Sequence, residues 1–308
     1  MKRRKVVVTG GAGFIGSHIV EKICTDNEVI IIDDLSSGKL ENIAGFNNNV
    51  KFIQGNILDA DLLNESLDGV DFVFHEAALA SVSRSIEDPL FANDVNICGT
   101  LNLLTAARDH NVKKVIFASS AAIYGNSLVS PQKETIPADP QSPYALTKLT
   151  GEYYCQIFNQ VYNLPTICLR YFNVYGPRQD PTSEYAAVIP KFITRLLENK
   201  HLTIYGDGRQ TRDFIFVEDI VDANIVAAES EAMGVFNIGS GNRTSINFLA
   251  KTLMNILAKK LPVEKRNPRL GEVRHSIADI SHAESIGFKP KFTLEVGLQK
   301  TIGTFIHR

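Results

Sequence analysis

The sequence has few of the residues from which metal sites and disulfide frameworks are built. It contains 4 cysteines and 7 histidines in 308 residues, without a CxxC, HxxxH or HExxH spacing among them. The cysteines are far apart, at Cys24, Cys98, Cys155 and Cys168. This spacing favours reduced thiols over a disulfide framework or a zinc site. We therefore expect no metal ion and a cytoplasmic location.

Excess charge and long apolar runs are also missing. The net charge is -2 at pH 7, so no basic field points to a nucleic acid or an anionic membrane. No apolar run approaches the roughly 20 residues that a membrane-spanning helix needs. The basic start is followed by an apolar stretch of only Val6–Val8, which is shorter than the roughly 7–15 residues of a signal peptide. We expect neither a nucleic-acid nor a membrane partner.

Short β-branched runs alternate with longer helical patterns in the first part of the chain. The predicted strands are Val6–Thr9, Val29–Ile32, Val50–Ile53, Phe72–His75, Val115–Ala118 and Thr166–Leu169. The predicted helices are Ile15–Ile23, Leu90–His110, Tyr144–Tyr162, Ser245–Ala258 and Leu294–Ile306. Apolar strands that alternate with helices indicate an α/β fold with a doubly wound parallel sheet, the Rossmann architecture.

This rhythm breaks after about residue 170, where glycine and proline cluster in YGPRQDP and YGDGRQTRD. The sequence therefore predicts a first domain over residues 1–175. It predicts a smaller mixed α/β domain over residues 176–308, with some strand and helix interleaving back into the first.

A glycine-rich turn follows the first predicted strand and opens the first helix. In VVVTGGAGFIGSHI, Gly10 allows a tight turn, Gly13 allows a pyrophosphate to approach backbone N–H groups, and Gly16 allows close helix–strand packing. The helix N-terminus adds free N–H donors and the positive end of its dipole. The second strand leads to Asp33, whose carboxylate suits the ribose hydroxyls of an adenosine and repels a 2′-phosphate. The pattern favours NAD over NADP; the alternative is that these residues only form turns.

A Tyr-xxx-Lys pair lies in SPYALTKLTGE. Ser142 and Pro143 are a typical helix start, and Tyr144 and Lys148 then share one helix face. An ammonium about 4 Å away contributes roughly 4 kcal/mol at an effective dielectric near 20, enough to lower a phenol pKa by about three units. Ser120 ends the fifth strand, at the sheet edge where ligands bind in such folds. The pair predicts a phenolate base; the alternative is a solvated helix face.

Together, TGGAGFIG, Asp33, the Ser120 segment and Tyr144-xxx-Lys148 resemble the extended short-chain dehydrogenase/reductase family. Within it the chain resembles the UDP-glucose (UDP-galactose) 4-epimerase type over nearly its whole length. The resemblance implies an isomerase that oxidises a UDP-sugar transiently at C4 with bound NAD. It implies that residues 1–175 bind NAD, that residues 176–308 bind the UDP-sugar, and that Ser120, Tyr144 and Lys148 are catalytic.

The resemblance also implies two sets of binding residues. The cofactor set is Gly10, Gly13, Phe14, Ile15, Gly16, Asp33, Asn56, Ile57, Ala77, Ala78, Leu79, Asn96, Tyr144, Lys148 and Tyr171. The substrate set is Asn173, Tyr205, Arg212, Arg269, Glu272 and Ser276. Part of these sets has a simpler alternative. Asn96 and Asn173 would then be ordinary turn residues, and Tyr205 a half-buried strand residue. Arg212 would form a surface ion pair with Asp213.

Particular positions distinguish the reaction from related ones. In related 4,6-dehydratases an Asp-Glu pair follows the serine, whereas this chain has Ala121 and Ala122, which carry no acid or base. Ser276 replaces a bulky tyrosine of some epimerases, which implies turnover of UDP-GlcNAc and UDP-GalNAc as well as UDP-glucose and UDP-galactose. The alternatives are a UDP-uronate or UDP-pentose 4-epimerase and a non-catalytic NAD-sensing protein. The resemblance further implies a homodimer built as a four-helix bundle from Leu90–His110 and Tyr144–Tyr162.

Overall fold

The computed structural model describes residues 1–46, 49–181, 187–267 and 273–306, with strands and helices alternating along the first half. The strands are β1 (Lys5–Thr9), β2 (Glu28–Asp33), β3 (Val50–Gln54), β4 (Phe72–His75), β5 (Lys114–Ser120), β6 (Thr166–Tyr171), β7 (Asn173–Tyr175), β8 (Leu202–Tyr205), β9 (Thr211–Arg212), β10 (Phe214–Phe216), β11 (Gly234–Ile238), β12 (Thr244–Ser245) and β13 (Val263–Arg266). The helices are α1 (Phe14–Ile23), α2 (Ala60–Ser66), α3 (Val82–Glu87), α4 (Pro89–Asn93), α5 (Gly99–Asp109), α6 (Pro143–Tyr162), α7 (Val188–Leu197), α8 (Val217–Glu229), α9 (Ile246–Ile256), α10 (Ser281–Ser285) and α11 (Leu294–Ile306).

Seven parallel strands form the main sheet, in the order β3-β2-β1-β4-β5-β6-β11. Side chains alternate between its faces: Val6 and Val8 join one apolar cluster, and Val7 joins the other. Helices α1 and α8 cover the first face, and α2, α5 and α6 cover the second. The predicted doubly wound sheet is confirmed. Its strand order reverses between β1 and β4, which places a ligand crevice at the carboxyl ends of these strands.

The predicted helix over Leu90–His110 is confirmed, but it is not regular. A π-helical segment, Asp94–Cys98, lies between α4 and α5 and changes the side-chain register there. Asn96 is the buried residue of this segment. The insertion therefore turns a polar amide into the protein interior, toward the crevice side of the sheet.

The later part of the chain forms small strand pairs around a third apolar cluster. Strands β7 and β10 pair in parallel, as do β8 and β13, while β9 and β12 pair antiparallel. Helices α7, α9 and α11 supply much of the cluster, which packs against Phe14 and Ile15 of α1. Strand β11, which we did not predict, joins the main sheet beside β6, and helix α8 packs on the first face of that sheet. The domain boundary at residue 175 stays a prediction.

Candidate active site

The glycine turn between β1 and α1 leaves no room for side chains. Gly10 has a φ of +69°, and a Cβ atom on it would lie 2.7 Å from the backbone nitrogen of Ala77. A Cβ atom on Gly16 would overlap the carbonyl oxygen of Gly10. Gly13 is the N-cap of α1 and, as a glycine, places no side chain over the first N–H groups of the helix. This cradle fits a pyrophosphate held on backbone N–H groups.

Asp33 ends β2 beside this turn and is buried. One carboxylate oxygen accepts the Ala12 N–H and the other accepts the Leu35 N–H, each at 2.9 Å. Burial raises the pKa of Asp33, although both N–H donors oppose this. Each oxygen keeps a lone pair for another donor, as a ribose diol would require. The side chain of Asn56, another predicted cofactor residue, donates to the neighbouring Asp34 at 2.8 Å.

The walls of the crevice come from the ends of β3 and β4 and from the π-helical segment. Ile57 is buried against α5, where a Cβ atom on Gly99 would lie 2.6 Å from its side chain. Asn96 accepts the Leu79 N–H at 2.7 Å and donates to the Leu79 carbonyl at 3.2 Å. It also donates to Thr147 at 3.0 Å. Asn96 thus holds the segment that carries Ala77, Ala78 and Leu79; its direct contact with a cofactor stays a prediction.

The structure brings the three predicted catalytic residues together at the carboxyl edge of the sheet. Ser142 caps α6 by accepting the Ala145 N–H at 3.2 Å, which fixes the start of this helix. Tyr144 lies close enough to Ser120 for that hydroxyl to lower the pKa of its phenol. Lys148 is buried and donates from Nζ to the Ala118 carbonyl at 2.7 Å.

The electrostatics of this cluster differ from what the Tyr-xxx-Lys spacing led us to expect. Burial raises the pKa of the Tyr144 phenol, the Ser120 hydroxyl lowers it, and the Glu76 carboxyl raises it. Burial lowers the pKa of Lys148 to about 8, against the attraction of Glu76. In the protein alone the pKa of the phenol is therefore raised, with burial as the largest cause; its lowering by Lys148 and a nicotinamide stays a prediction.

A histidine that sequence reasoning did not select links the crevice walls. His75 is buried at the end of β4, and burial lowers its pKa to about 3, which keeps the ring neutral. The Thr100 hydroxyl donates to the Asn96 carbonyl at 2.7 Å, so its oxygen accepts from His75 Nε2 at 2.9 Å. The Thr9 hydroxyl then donates to His75 Nδ1 at 2.8 Å. This chain ties β1 to the π-helical segment.

Glu76 and the side chains around it were also missed. The Tyr171 hydroxyl donates to Glu76 Oε1 at 2.7 Å and accepts from Asn224 at 2.7 Å. Burial raises the pKa of Glu76 to about 7, while Tyr171 and Lys148 lower it. An acidic residue directly after a buried strand, at the ligand-binding edge of the sheet, is the signal that would have found it.

A buried polar network supports the serine segment from below. Ser119 donates to Glu152 Oε1 at 2.5 Å, and Glu152 accepts two hydrogen bonds from Arg170, at 2.9 and 2.7 Å. Arg170 also donates to the Tyr124 hydroxyl at 2.8 Å, and that hydroxyl donates to Asn237 at 2.6 Å. These contacts join β5, α6, β6 and β11, and so fix the end of β5 on which Ser120 lies.

The predicted substrate residues lie in the later part of the chain. Asn173 is exposed at the start of β7. Tyr205 ends β8 and is the register partner of Arg266 in β13. Arg212 donates to its neighbouring Thr211 carbonyl at 2.9 Å, and the Ser276 backbone N–H donates to the same carbonyl at 3.2 Å. Two further predicted residues, Arg269 and Glu272, lie outside the described residues.

Asp213 does not form the surface ion pair that we considered. It is fully buried and accepts hydrogen bonds from the Ser240 backbone and hydroxyl, both at 2.7 Å. It also accepts the Gly241 N–H at 3.0 Å and the Ala278 N–H at 3.1 Å. Asp213 therefore anchors the backbone around Ser276, whose hydroxyl donates to Gln132 at 3.3 Å.

Fold and site define a class: an α/β enzyme that binds a dinucleotide at a switch point and places a tyrosine, a lysine and a serine beside it. Among residues 1–46, 49–181, 187–267 and 273–306, no group of histidine, cysteine and acidic side chains suits a metal ion. In the same ranges no helix has the length and apolar character needed to cross a bilayer. The predicted cytoplasmic location stays a prediction.

Comparisons with known proteins identify the family. A family model described as the NAD dependent epimerase/dehydratase family matches residues 6–239, and the chain belongs to this family. It is 39% identical over 308 residues to UDP-glucose 4-epimerase from Mycolicibacterium smegmatis, covering 98% of each chain. The predicted family, NAD as cofactor and the isomerase class are confirmed.

Solved structures with the same fold carry related names. The structure of UDP-N-acetylglucosamine 4-epimerase from Methanobrevibacter ruminantium M1, in complex with UDP-N-acetylmuramic acid, is 48% identical with a TM-score of 0.98; the match covers 100% of this chain and 99% of that one. UDP-glucose 4-epimerase from Thermotoga maritima, with UDP-glucose, is 42% identical with a TM-score of 0.94, covering 98% and 99%.

Proposed function

We propose that the protein is a UDP-sugar 4-epimerase that interconverts UDP-glucose and UDP-galactose and also accepts UDP-GlcNAc and UDP-GalNAc. The observation that carries this proposal is the meeting of Ser120, Tyr144 and Lys148 beside the glycine cradle. The positions after Ser120 are Ala121 and Ala122, which supply no acid or base for a dehydration.

The cofactor would be held by the glycine turn at Gly10–Gly16 and by Asp33. When bound, NAD⁺ supplies a hydride acceptor and a positive charge. The Ser120 hydroxyl, next to the Tyr144 phenol, orients the reacting sugar oxygen toward that phenol. Tyr144 takes the proton from that oxygen and later returns it. Lys148 contributes a fixed positive charge beneath the crevice, since its Nζ is held on the Ala118 carbonyl.

The proposed substrate breadth rests on Ser276. Its side chain is smaller than the tyrosine of some epimerases, and its hydroxyl donates to the buried Gln132. Asp213 anchors the neighbouring Ala278, so this segment has a fixed backbone from which a larger side chain would project. The 48% identity to a UDP-N-acetylglucosamine 4-epimerase supports the same substrate class.

The test of this function is a panel of UDP-sugars incubated with the purified protein, without added reductant, followed by chromatographic separation of the products. Wild-type protein is expected to convert the hexoses and the N-acetylhexosamines. Tyr144→Phe is expected to keep NAD affinity and to lose at least about 100-fold in turnover, as for removal of a general base. Tyr162→Phe, at the far end of the same helix and exposed, is the matched control and is expected to keep wild-type turnover.

Ser276→Tyr tests the substrate breadth separately. This variant is expected to lose conversion of the N-acetylhexosamines while keeping conversion of UDP-glucose, because the ring would occupy the space for the acetamido group. Unchanged N-acetyl activity would contradict the assignment of Ser276. Conversion of UDP-uronates or UDP-pentoses alone would replace the proposed substrates.

We also propose a homodimer. Helices α3, α4 and α6 pack together and leave apolar side chains exposed on one side of the molecule. On α6 they include Leu146, Tyr153 and Ile157, which recur at helical spacing on one face. A contiguous exposed apolar face of this kind is typical of a protein–protein interface.

A further inference from the structure

Glu76 is a carboxyl group in the crevice to which the mechanism above gives no role. Its backbone N–H donates to the Thr9 carbonyl at 3.1 Å, which holds it beside the glycine turn. Its side chain accepts from the Tyr171 hydroxyl, which in turn accepts from Asn224 of α8. Asn224 also donates to the Ile220 carbonyl at 2.9 Å. The carboxyl group is therefore fixed by hydrogen bonds that reach from β4 through β6 to α8.

The charged and titratable groups that act on Glu76 come from β6 and α6. Tyr171 of β6 donates to it, and Lys148 of α6 attracts its ionised form. In return, the ionised carboxyl favours the ammonium of Lys148 and disfavours the phenolate of Tyr144. His75, its neighbour in the chain, is held neutral between two threonine hydroxyls and adds no charge.

We propose that Glu76 is a positioning residue that sets the charge of the Tyr144–Lys148 pair and fixes Tyr171. It thereby determines the pH range in which the phenol acts as a base. This inference deepens the proposed function and rests on it. With Glu76 ionised, the lysine stays protonated and the phenol holds its proton more firmly. With Glu76 neutral, the phenol releases its proton more easily and the hydrogen bond from Tyr171 can remain.

Both forms of Glu76 are populated near neutral pH, because burial raises its pKa to about 7. As the pH rises through this value, the new negative charge opposes ionisation of Tyr144. Removing the charge has the opposite effect on the phenol. The direct effect of the carboxylate on the phenol therefore has one sign: a neutral residue at position 76 moves the ionisation of Tyr144 to lower pH.

The experiment uses the NAD-loaded protein and the variants Glu76→Gln and Glu76→Leu. The glutamine oxygen can still accept from Tyr171, so only the charge is removed; leucine removes the acceptor as well. The tyrosinate absorbance in the near ultraviolet is recorded against pH for each, with Tyr144→Phe in the same background subtracted. Turnover and KM for UDP-galactose are measured over the same pH range.

For Glu76→Gln, the Tyr144 titration and the acid limb of the turnover profile are both expected to shift down by roughly one pH unit, with KM unchanged. Glu76→Leu is expected to show the same shift and, in addition, weaker NAD binding, since Tyr171 is released. Tyr171→Phe removes the donor that lowers the pKa of Glu76, so more of the carboxyl group is neutral near pH 7 and the Tyr144 titration is expected to shift in the same direction as in Glu76→Gln, by less.

An identical Tyr144 titration in wild type and Glu76→Gln would overturn the inference. This failure is distinguishable from failure of the proposed function. A Tyr144 titration that shifts in Glu76→Gln as expected, together with a wild-type protein that converts no UDP-sugar, would overturn the function alone. Wild-type protein that epimerises, with a Tyr144 titration insensitive to residue 76, would overturn the role of Glu76 alone.

Discussion

At the scale of single residues, two glycines with a positive φ have different surroundings. Gly10 has a φ of +69° and Gly45 a φ of +89°, a region that L-residues with a Cβ atom rarely adopt. A Cβ atom on Gly10 would lie 2.7 Å from the Ala77 nitrogen, whereas one on Gly45 would meet nothing within 4 Å. Alanine substitutions at the two positions therefore separate the effect of the positive φ on stability from the effect of filling the cofactor cradle.

We therefore expect Gly10→Ala to lower NAD affinity at least about tenfold, because the alanine must displace the Ala77 backbone and with it a wall of the crevice. Gly45→Ala is expected to cost about 1 kcal/mol of stability and to leave NAD affinity unchanged. Calorimetric titration with NAD and urea unfolding measure the two effects. Equal NAD affinities in the two variants would mean that the turn at Gly10 does not shape the cofactor site.

At the scale of secondary-structure elements, α6 and β6 are joined by a buried ion pair. Glu152 and Arg170 form two hydrogen bonds, and their side chains are 3% and 7% exposed. Glu264 and Arg266 form the same two-bond geometry on the surface, at 3.0 and 3.2 Å. A buried charge that loses its partner is left without hydration, whereas an exposed charge is hydrated by water. The two ion pairs therefore have the same geometry but contribute different amounts to stability.

Glu152→Gln is expected to lower the free energy of unfolding by about 3–5 kcal/mol, since it leaves the Arg170 guanidinium buried without its counter-charge. Glu264→Gln, the matched surface control, is expected to leave stability unchanged. Urea unfolding of both variants measures the difference. A similar small effect in both would show that water or another group compensates the Arg170 charge.

Elements with strong local signals were predictable from sequence, and those that depend on distant partners were not. Strands β1 to β6 are apolar runs, and α1 and α6 have a one-sided apolar pattern, so each is recognisable alone. Strand β11 carries Gly234 and Asn237 in five residues, and its place is set by pairing with β6. The same holds within the site. The Tyr144–Lys148 spacing was visible, whereas Glu76 acquires its meaning from Tyr171, 95 residues later.

At the scale of the whole molecule, the exposed apolar face on α3, α4 and α6 argues for association. We expect Ile157→Asp to convert a dimer into a monomer, because one buried charge per subunit at the interface is strongly unfavourable. Val296→Asp on α11 is the matched control, since the two side chains are 45% and 42% exposed. Light scattering after gel filtration gives the masses. A wild-type protein that elutes as a monomer, or a dimer that survives Ile157→Asp, would contradict the proposed interface.

The position of β11 has a consequence for biosynthesis. Its five residues, Gly234–Ile238, complete the sheet beside β6, whose own residues are translated more than sixty positions earlier. While the ribosome makes the intervening segment, β6 has an open edge, with unpaired backbone groups next to a hydrophobic face. A nascent chain that ends between β6 and β11 is therefore the most exposed to mispairing. A chaperone that shields strand edges would matter most at this stage.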